Sequence, residues 1–223
     1  MQLPDLSRHD TTAKLLLHNA AHWGAEVALR EKEYGIWKIY TWADTRARVE
    51  ELTRGLLQLG IARGDVIGIL GRNRPHWLWA ELAAHAAGAM SLGIYEDALG
   101  REVAYLLGYA EAKLVFVEDE EQADKVLEIA DELPHLRWIV YNDPRGMRKY
   151  RHDRLLDRRQ LIERGTETPS ETFEAAVAAG RGEVMLVGHE PDFSRATAMA
   201  TGSRVKFKKG GIAAFDDHLL HLL

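Results

Sequence analysis

The order of apolar and polar residues divides the chain into a series of short elements. After Thr11 and Thr12, either of which can cap a helix, "AKLLLHNAAHW" has helical spacing. "EVALREKEYGIWKIYTW" then alternates apolar and polar about Gly35, as two antiparallel strands joined by a tight turn would. Thr41 and Asp44 have the spacing of a capping box, with Asp in place of the usual Glu. Beyond them Val49, Leu52, Leu56 and Leu59 recur on one helical face, and Gly60 stands where a C-terminal cap belongs.

A regular alternation follows. "DVIGIL", "MSLGIY", "KLVFVED" and "LRWIVYND" read as strands. Between them "RPHWLWAELAAHAAGA", with Pro75 in its first turn, "GREVAYLLGYAEA" and "EEQADKVLEIADEL" read as helices. This pattern predicts an α/β fold, a layered and mostly parallel sheet with right-handed crossover helices. The charged stretch from residue 143 to 171 reads as a linker. After it come a helix "ETFEAAVAAG", a strand "EVMLVG", a helix through "DFSRATAMATG" and a hairpin "RVKFKKGGIAAFD".

Composition then removes several classes of function. The 223 residues are 46% hydrophobic with a formal net charge of −5, which suits a soluble core and offers no bulk attraction to nucleic acid. The absence of cysteine excludes disulfides, thiolate metal sites and a cysteine nucleophile. "LWAELAAHAAGAMSLGI" is the most apolar stretch, but Glu81, His85 and Gly88 interrupt it, so no membrane span is expected. "MQLPDLSRHD" lacks a signal pattern, and the expected compartment is the cytoplasm. No metal site is expected: His18, His22 and His85 have no carboxylates at ligand spacing and read as core or surface histidines. Trp77, Leu78, Trp79 and Leu82 read as the packed face of a helix, and "EDEEQADK" as a solvated helix start.

Two resemblances bear on function. "YTWADTRARVEELTRGLLQLGIARGDVIGILGRNRPHWLWAELAAHAAGAMSLGIYEDA" and "EVAYLLGYAEAKLVFVED" resemble the N-terminal part of AMP-forming acyl-CoA synthetases. "IVYNDPRGMRKY" with "RLLDRRQLIERG" is similar to the region that follows in the long-chain fatty acid subgroup. The resemblance covers residues 15 to 183. It implies ATP, magnesium and CoA, and a two-step reaction through an acyl-adenylate, with a small carboxylate or nucleotide as ligand. That chemistry requires a Ser/Thr/Gly-rich loop whose N–H groups cradle phosphates, and the sequence contains none. "GILGRN" reads as an ordinary strand-to-helix turn and "KKGG" as a hairpin turn.

Residues 184 to 216, "VMLVGHEPDFS" followed by "RVKFKKGGIAAFD", resemble instead the end of phosphohistidine phosphatases of the histidine-phosphatase superfamily. By that resemblance His189 matches a phosphoryl-binding catalytic histidine, with Lys208 and Lys209 as phosphate-binding candidates. The same family needs a nucleophilic histidine in an Arg-His-Gly motif. Here only Arg8-His9-Asp10 and Arg151-His152-Asp153 come near it, both on charged segments. Arg204, Lys206 and Lys208 also fit the solvent face of a hairpin.

The sequence therefore divides into a synthetase-like region, 1–183, and a phosphatase-like tail, 184–223. "EVMLVG" is expected to extend the parallel sheet and carry His189 to its carboxyl edge. The expected function is a ligase fragment inactive on its own. The alternatives are a phosphohydrolase using His189, and a non-enzymatic module or fusion product that self-associates through uncovered sheet edges.

Overall fold

Four apolar runs and one short charged-flanked segment assemble into a single five-stranded parallel sheet in the computed structural model, which describes residues 5, 8–180, 213–216 and 219–222. The chain divides into two compact units, Met1–Gly180 and Arg181–Leu223. In the first, helix α1 (Thr12–Trp23) is capped by Thr11, whose hydroxyl accepts from the Lys14 N–H. Strands β1 (Val27–Glu33) and β2 (Ile36–Thr41) form the antiparallel hairpin, with Tyr34 and Gly35 at positive φ in its turn. Helix α2 (Trp42–Gln58) begins with the Thr41–Asp44 capping box and buries Val49, Leu52 and Leu56.

The sheet is built from β3 (Val66–Leu70), β4 (Met90–Ile94), β5 (Leu114–Val117), β6 (Trp138–Tyr141) and β7 (Leu155–Asp157). Their order across the sheet is β4-β3-β5-β6-β7, all parallel. The crossovers are α3 (Pro75–Ala86), α4 (Gly100–Tyr109) and α5 (Glu120–Leu127). Side chains alternate across the sheet, so each face has its own core. Ile67, Ile69, Leu114, Phe116 and Val140 pack with α1, α2 and α3, while Leu70, Val115, Val117 and Ile139 pack with α4 and α5. The central strand β5 is buried at all four positions, which explains its unbroken apolar run.

Two expectations are corrected. The stretch read as a linker contains the edge strand β7 and helix α6 (Arg158–Gly165); helix α7 (Ser170–Ala179) follows where a helix is expected. Strand β7 is only three residues long, and α6 buries only Leu161 and Gly165, so neither produces a long apolar pattern. Their anchor is a close approach: a Cβ added at Gly55 of α2 would stand 2.5 Å from the Leu161 carbonyl oxygen. The helix expected through residue 133 stops at Leu127 and resumes as a 3₁₀ turn, Ala130–Glu132.

In the second unit β8 (Ala213–Asp216) pairs antiparallel with β9 (Leu219–Leu222). Strand β8 falls within the second arm of the hairpin expected over residues 204–216, but its described partner is β9. The first arm, the strand "EVMLVG" and residues His189, Lys208 and Lys209 lie outside the described residues.

Candidate functional site at the carboxyl edge of the sheet

The chain leaves β3 through α3 onto one face of the sheet and leaves β5 through α5 onto the other. Adjacent strands whose connections part in this way open a crevice at their carboxyl ends, where open α/β sheets bind ligands. Here the crevice lies between Gly71 and Glu118. The two strand ends are in close contact, since a Cβ on Gly71 would meet the Glu118 Cβ at 2.9 Å.

Glu118 is the hub of the crevice. It is 5% exposed, and its carboxylate accepts from the Arg72 backbone N–H at 2.8 Å and from Arg72 Nε and Nη2 at 3.0 and 2.7 Å. Arg74 Nη1 lies 3.6 Å from the same carboxylate. Burial alone would raise its pKa, but the Arg72 hydrogen bonds and charge, with His76 nearby, hold it below the ordinary carboxylate value.

Arg74 precedes α3 but does not cap it. Its guanidinium instead reaches the hairpin, donating to Glu31 at 2.6 Å and Glu33 at 3.2 Å. Arg145, after β6, donates to Asp143 and to the Tyr34 hydroxyl at 2.8 Å, fixing the hairpin turn from the other side. Those hydrogen bonds, foremost the Arg145 side chain's, lower the Asp143 pKa. Together these pairs clamp the hairpin beside the sheet's carboxyl edge, leaving a polar groove of about 570 Å³ between the hairpin and the β3–α3 loop.

Beneath this network is a much smaller cavity of about 20 Å³, lined by apolar side chains of α2, β3, α3 and β5 together with His76, Glu118, Asn142 and Arg158. Burial lowers the His76 pKa, with Arg74 and Arg158 opposing the raising effect of Glu118. Burial likewise lowers that of Arg158, aided by Arg48.

None of these residues was singled out from the sequence. "GILGRN" reads as an ordinary turn and "EDEEQADK" as a solvated helix start, yet Glu118 at the head of the latter is buried and ion-paired. The available signal was position: Gly71-Arg72 and Glu118 directly follow two adjacent apolar strands. Of the sequence candidates, His152 is exposed on the loop before β7, where its Nδ1 accepts from the Arg154 N–H at 3.2 Å. His9 bonds the Asp5 carbonyl and packs edge-on against His18, which itself stacks on His22. His85 bridges Thr12 and Ser91 at 2.8 and 2.9 Å. Trp79 is buried edge-on to Tyr40 in the packed face expected of α3.

The described residues do not suit magnesium. Glu118 and Asp143, the acidic side chains at the crevice, are both engaged by arginines, and no three metal-ligating side chains converge among the described residues. Nor is any helix there long and apolar enough to cross a membrane.

Comparison with known proteins agrees with this architecture. The chain is 26% identical over 178 residues to the long-chain-fatty-acid–CoA ligase ACSBG2 of Xenopus laevis, covering 79% of this chain and 23% of that one. It is 28% identical over 155 residues to the ligase ACSBG1 of Rattus norvegicus, covering 70% and 21% respectively. The chain thus spans less than a quarter of the length of these relatives. Among solved structures, the anthranilate CoA ligase AuaEII in complex with anthranoyl-AMP superposes with a TM-score of 0.62 at 20% identity, over 76% of this chain and 30% of that one. Acetoacetyl-CoA synthetase from Streptomyces lividans superposes at 0.59 with 27% identity, over 67% and 24%. The profile of the family described as AMP-binding enzyme matches residues 16–177, and the chain belongs to that family.

Proposed function

We propose that the first unit is scaffold for the active centre of an ATP-dependent acyl-CoA ligase of the long-chain fatty acid type. The carrying observation is the family match across residues 16–177, supported by the names of the relatives. In this reading ATP, magnesium and CoA are used by the complete centre, and the 223 residues alone do not turn over. A phosphoryl-transfer site needs several donors held around the phosphates, and the sequence has no Ser/Thr/Gly-rich loop to supply them.

Two measurements test this. Exchange of pyrophosphate into ATP, dependent on palmitate, should be absent from the purified chain, and a clear signal would overturn the inactive reading. A non-hydrolysable alkyl ester of AMP should bind weakly, in the upper micromolar to millimolar range expected when most contacts are missing, on the order of 4–5 kcal/mol. No binding at millimolar concentration would overturn the ligase-scaffold reading.

For the C-terminal stretch we propose a phosphoryl-binding role for His189, supported by "LVGHEP" and "FKKGG" in the sequence. Hydrolysis of a small aryl phosphate that is unchanged in His189→Ala would remove it.

A further inference from the structure

Among the described residues the Glu118 and Asp143 carboxylates are engaged by arginines, whereas Arg158 has no such partner. Arg158 opens α6 directly after β7 and contributes to the wall of the small cavity. It is half-buried, makes no hydrogen bond or ion pair among the described residues, and its Nε is enclosed without an acceptor there. Asp157 and Glu51 attract it, but both are otherwise engaged among the described residues. Asp157 is held by Arg159 and caps α6, Glu51 is paired with Arg48, and Glu118 is paired with Arg72 and Arg74. Arg48 adds positive charge beside Arg158, and Arg74 adds it beside His76. An enclosed donor without an acceptor is costly, and proteins satisfy such groups with few exceptions. The starts of α3 and α6 lie at this same edge, so two sets of N-terminal N–H groups add to the positive potential.

We propose that the cavity is a subsite for a monovalent anion, a halide or a carboxylate head group, held by the Arg158 guanidinium with His76 beside it. The size sets the class. About 20 Å³ admits one water-sized group, so chloride fits whole and a carboxylate enters by one oxygen, whereas tetrahedral phosphate does not fit. The apolar wall formed by Leu52, Trp77 and Phe116 favours a singly charged ion over a strongly hydrated one. An anion seated there would counter the lowering of the His76 pKa that Arg74 and Arg158 add to that of burial. This assignment stands on the charge pattern alone, whatever reaction the complete centre performs.

The test is a proton NMR titration of the His76 ring at constant ionic strength, assigned by comparison with His76→Gln, using sodium formate, sodium chloride and sodium phosphate against a sulfate background. Formate and chloride should each raise the His76 titration midpoint in a saturable, mutually competitive way, and phosphate should not. Arg158→Met, which keeps the unbranched stem, should weaken formate binding at least tenfold, and Arg158→Lys should retain part of it. In sulfate alone Arg158→Met should melt higher than the unsubstituted protein, because an enclosed donor without an acceptor is gone, and formate should shrink that difference. A non-saturable response, equal responses in Arg158→Met, phosphate binding as tight as formate, or a lower melting temperature of Arg158→Met in sulfate would each overturn the proposal.

Discussion

Replacing Glu118 by Gln removes one charge from the hub of the crevice at nearly constant shape. Three hydrogen bonds from Arg72 and the approach of Arg74 Nη1 depend on that carboxylate. The amide keeps one acceptor oxygen but turns an NH₂ toward guanidinium donors. Breaking a buried pair costs about 3–5 kcal/mol, but the Arg72 side chain is 53% exposed and regains water when released. Arg74, at 27%, recovers less. The expected loss is therefore about 2–3 kcal/mol at neutral pH. With a urea slope of about 2–3 kcal/mol/M, that moves the midpoint of tryptophan-monitored unfolding down by about 1 M without changing the slope. The sign of the pH dependence follows from the depressed Glu118 pKa. Its stabilisation is fully present above the unfolded value of 4.5 and is lost as pH falls through the lower folded value. The gap between the two proteins should consequently be widest near pH 7 and close toward pH 3. A loss below about 0.5 kcal/mol at pH 7, or a gap that persists at pH 3, would refute the account of Glu118 as an ionised hub.

Further substitutions probe the surrounding supports. Gly55→Ala should lower stability by about 1–3 kcal/mol despite better helix propensity, because its Cβ would stand 2.5 Å from the Leu161 carbonyl oxygen; an unchanged melting temperature would show that α2 and α6 can separate freely. Asp157→Ala removes the α6 cap and the partner of Arg159, and should cost about 1–2 kcal/mol, read as about 3–6 °C in melting temperature. Because the Asp157 pKa is lowered, with the Arg159 hydrogen bonds outweighing burial, this cost should also fade in acid. Arg74→Met should release the hairpin from the sheet edge, raising amide hydrogen exchange across residues 27–41 by about tenfold or more while β5 stays protected.

The fold was legible in the sequence wherever burial has a period. Strands β3, β5 and β6 sit between two helical layers, so their apolar runs are continuous and stood out. The Thr41–Asp44 box and the Gly35 turn are local chemistry and need no tertiary information. Strand β7 had no such signature. An edge strand of three residues pairs on one side only, and what keeps it in place is a neighbouring strand and a helix held by two glycines far apart in the chain, Gly55 and Gly165. Asp157 and Gln160 form a second capping box that the charge density around them obscured. The crevice was illegible for a related reason. Glu118 differs from the exposed acids after it only because β3 brings Arg72 alongside, a contact spanning 46 residues of sequence.

The distribution of charge at the sheet edge separates supporting residues from those free to bind. Arg72, Arg74 and Arg145 are saturated by Glu118, Glu31, Glu33 and Asp143, so they join the hairpin, two strand ends and the β6–β7 connection into one unit. A carboxylate already accepting from arginine would have to break those bonds to ligate a cation, and a paired guanidinium gains little from a second anion. The clamped groups are therefore ill suited to bind and well suited to hold backbone geometry, the quality a catalytic centre requires of its scaffold. Among the described residues Arg158 differs in having no such partner. Its guanidinium and small cavity are therefore the anion subsite proposed for this unit, with the more conspicuous arginine cluster above it serving as framework.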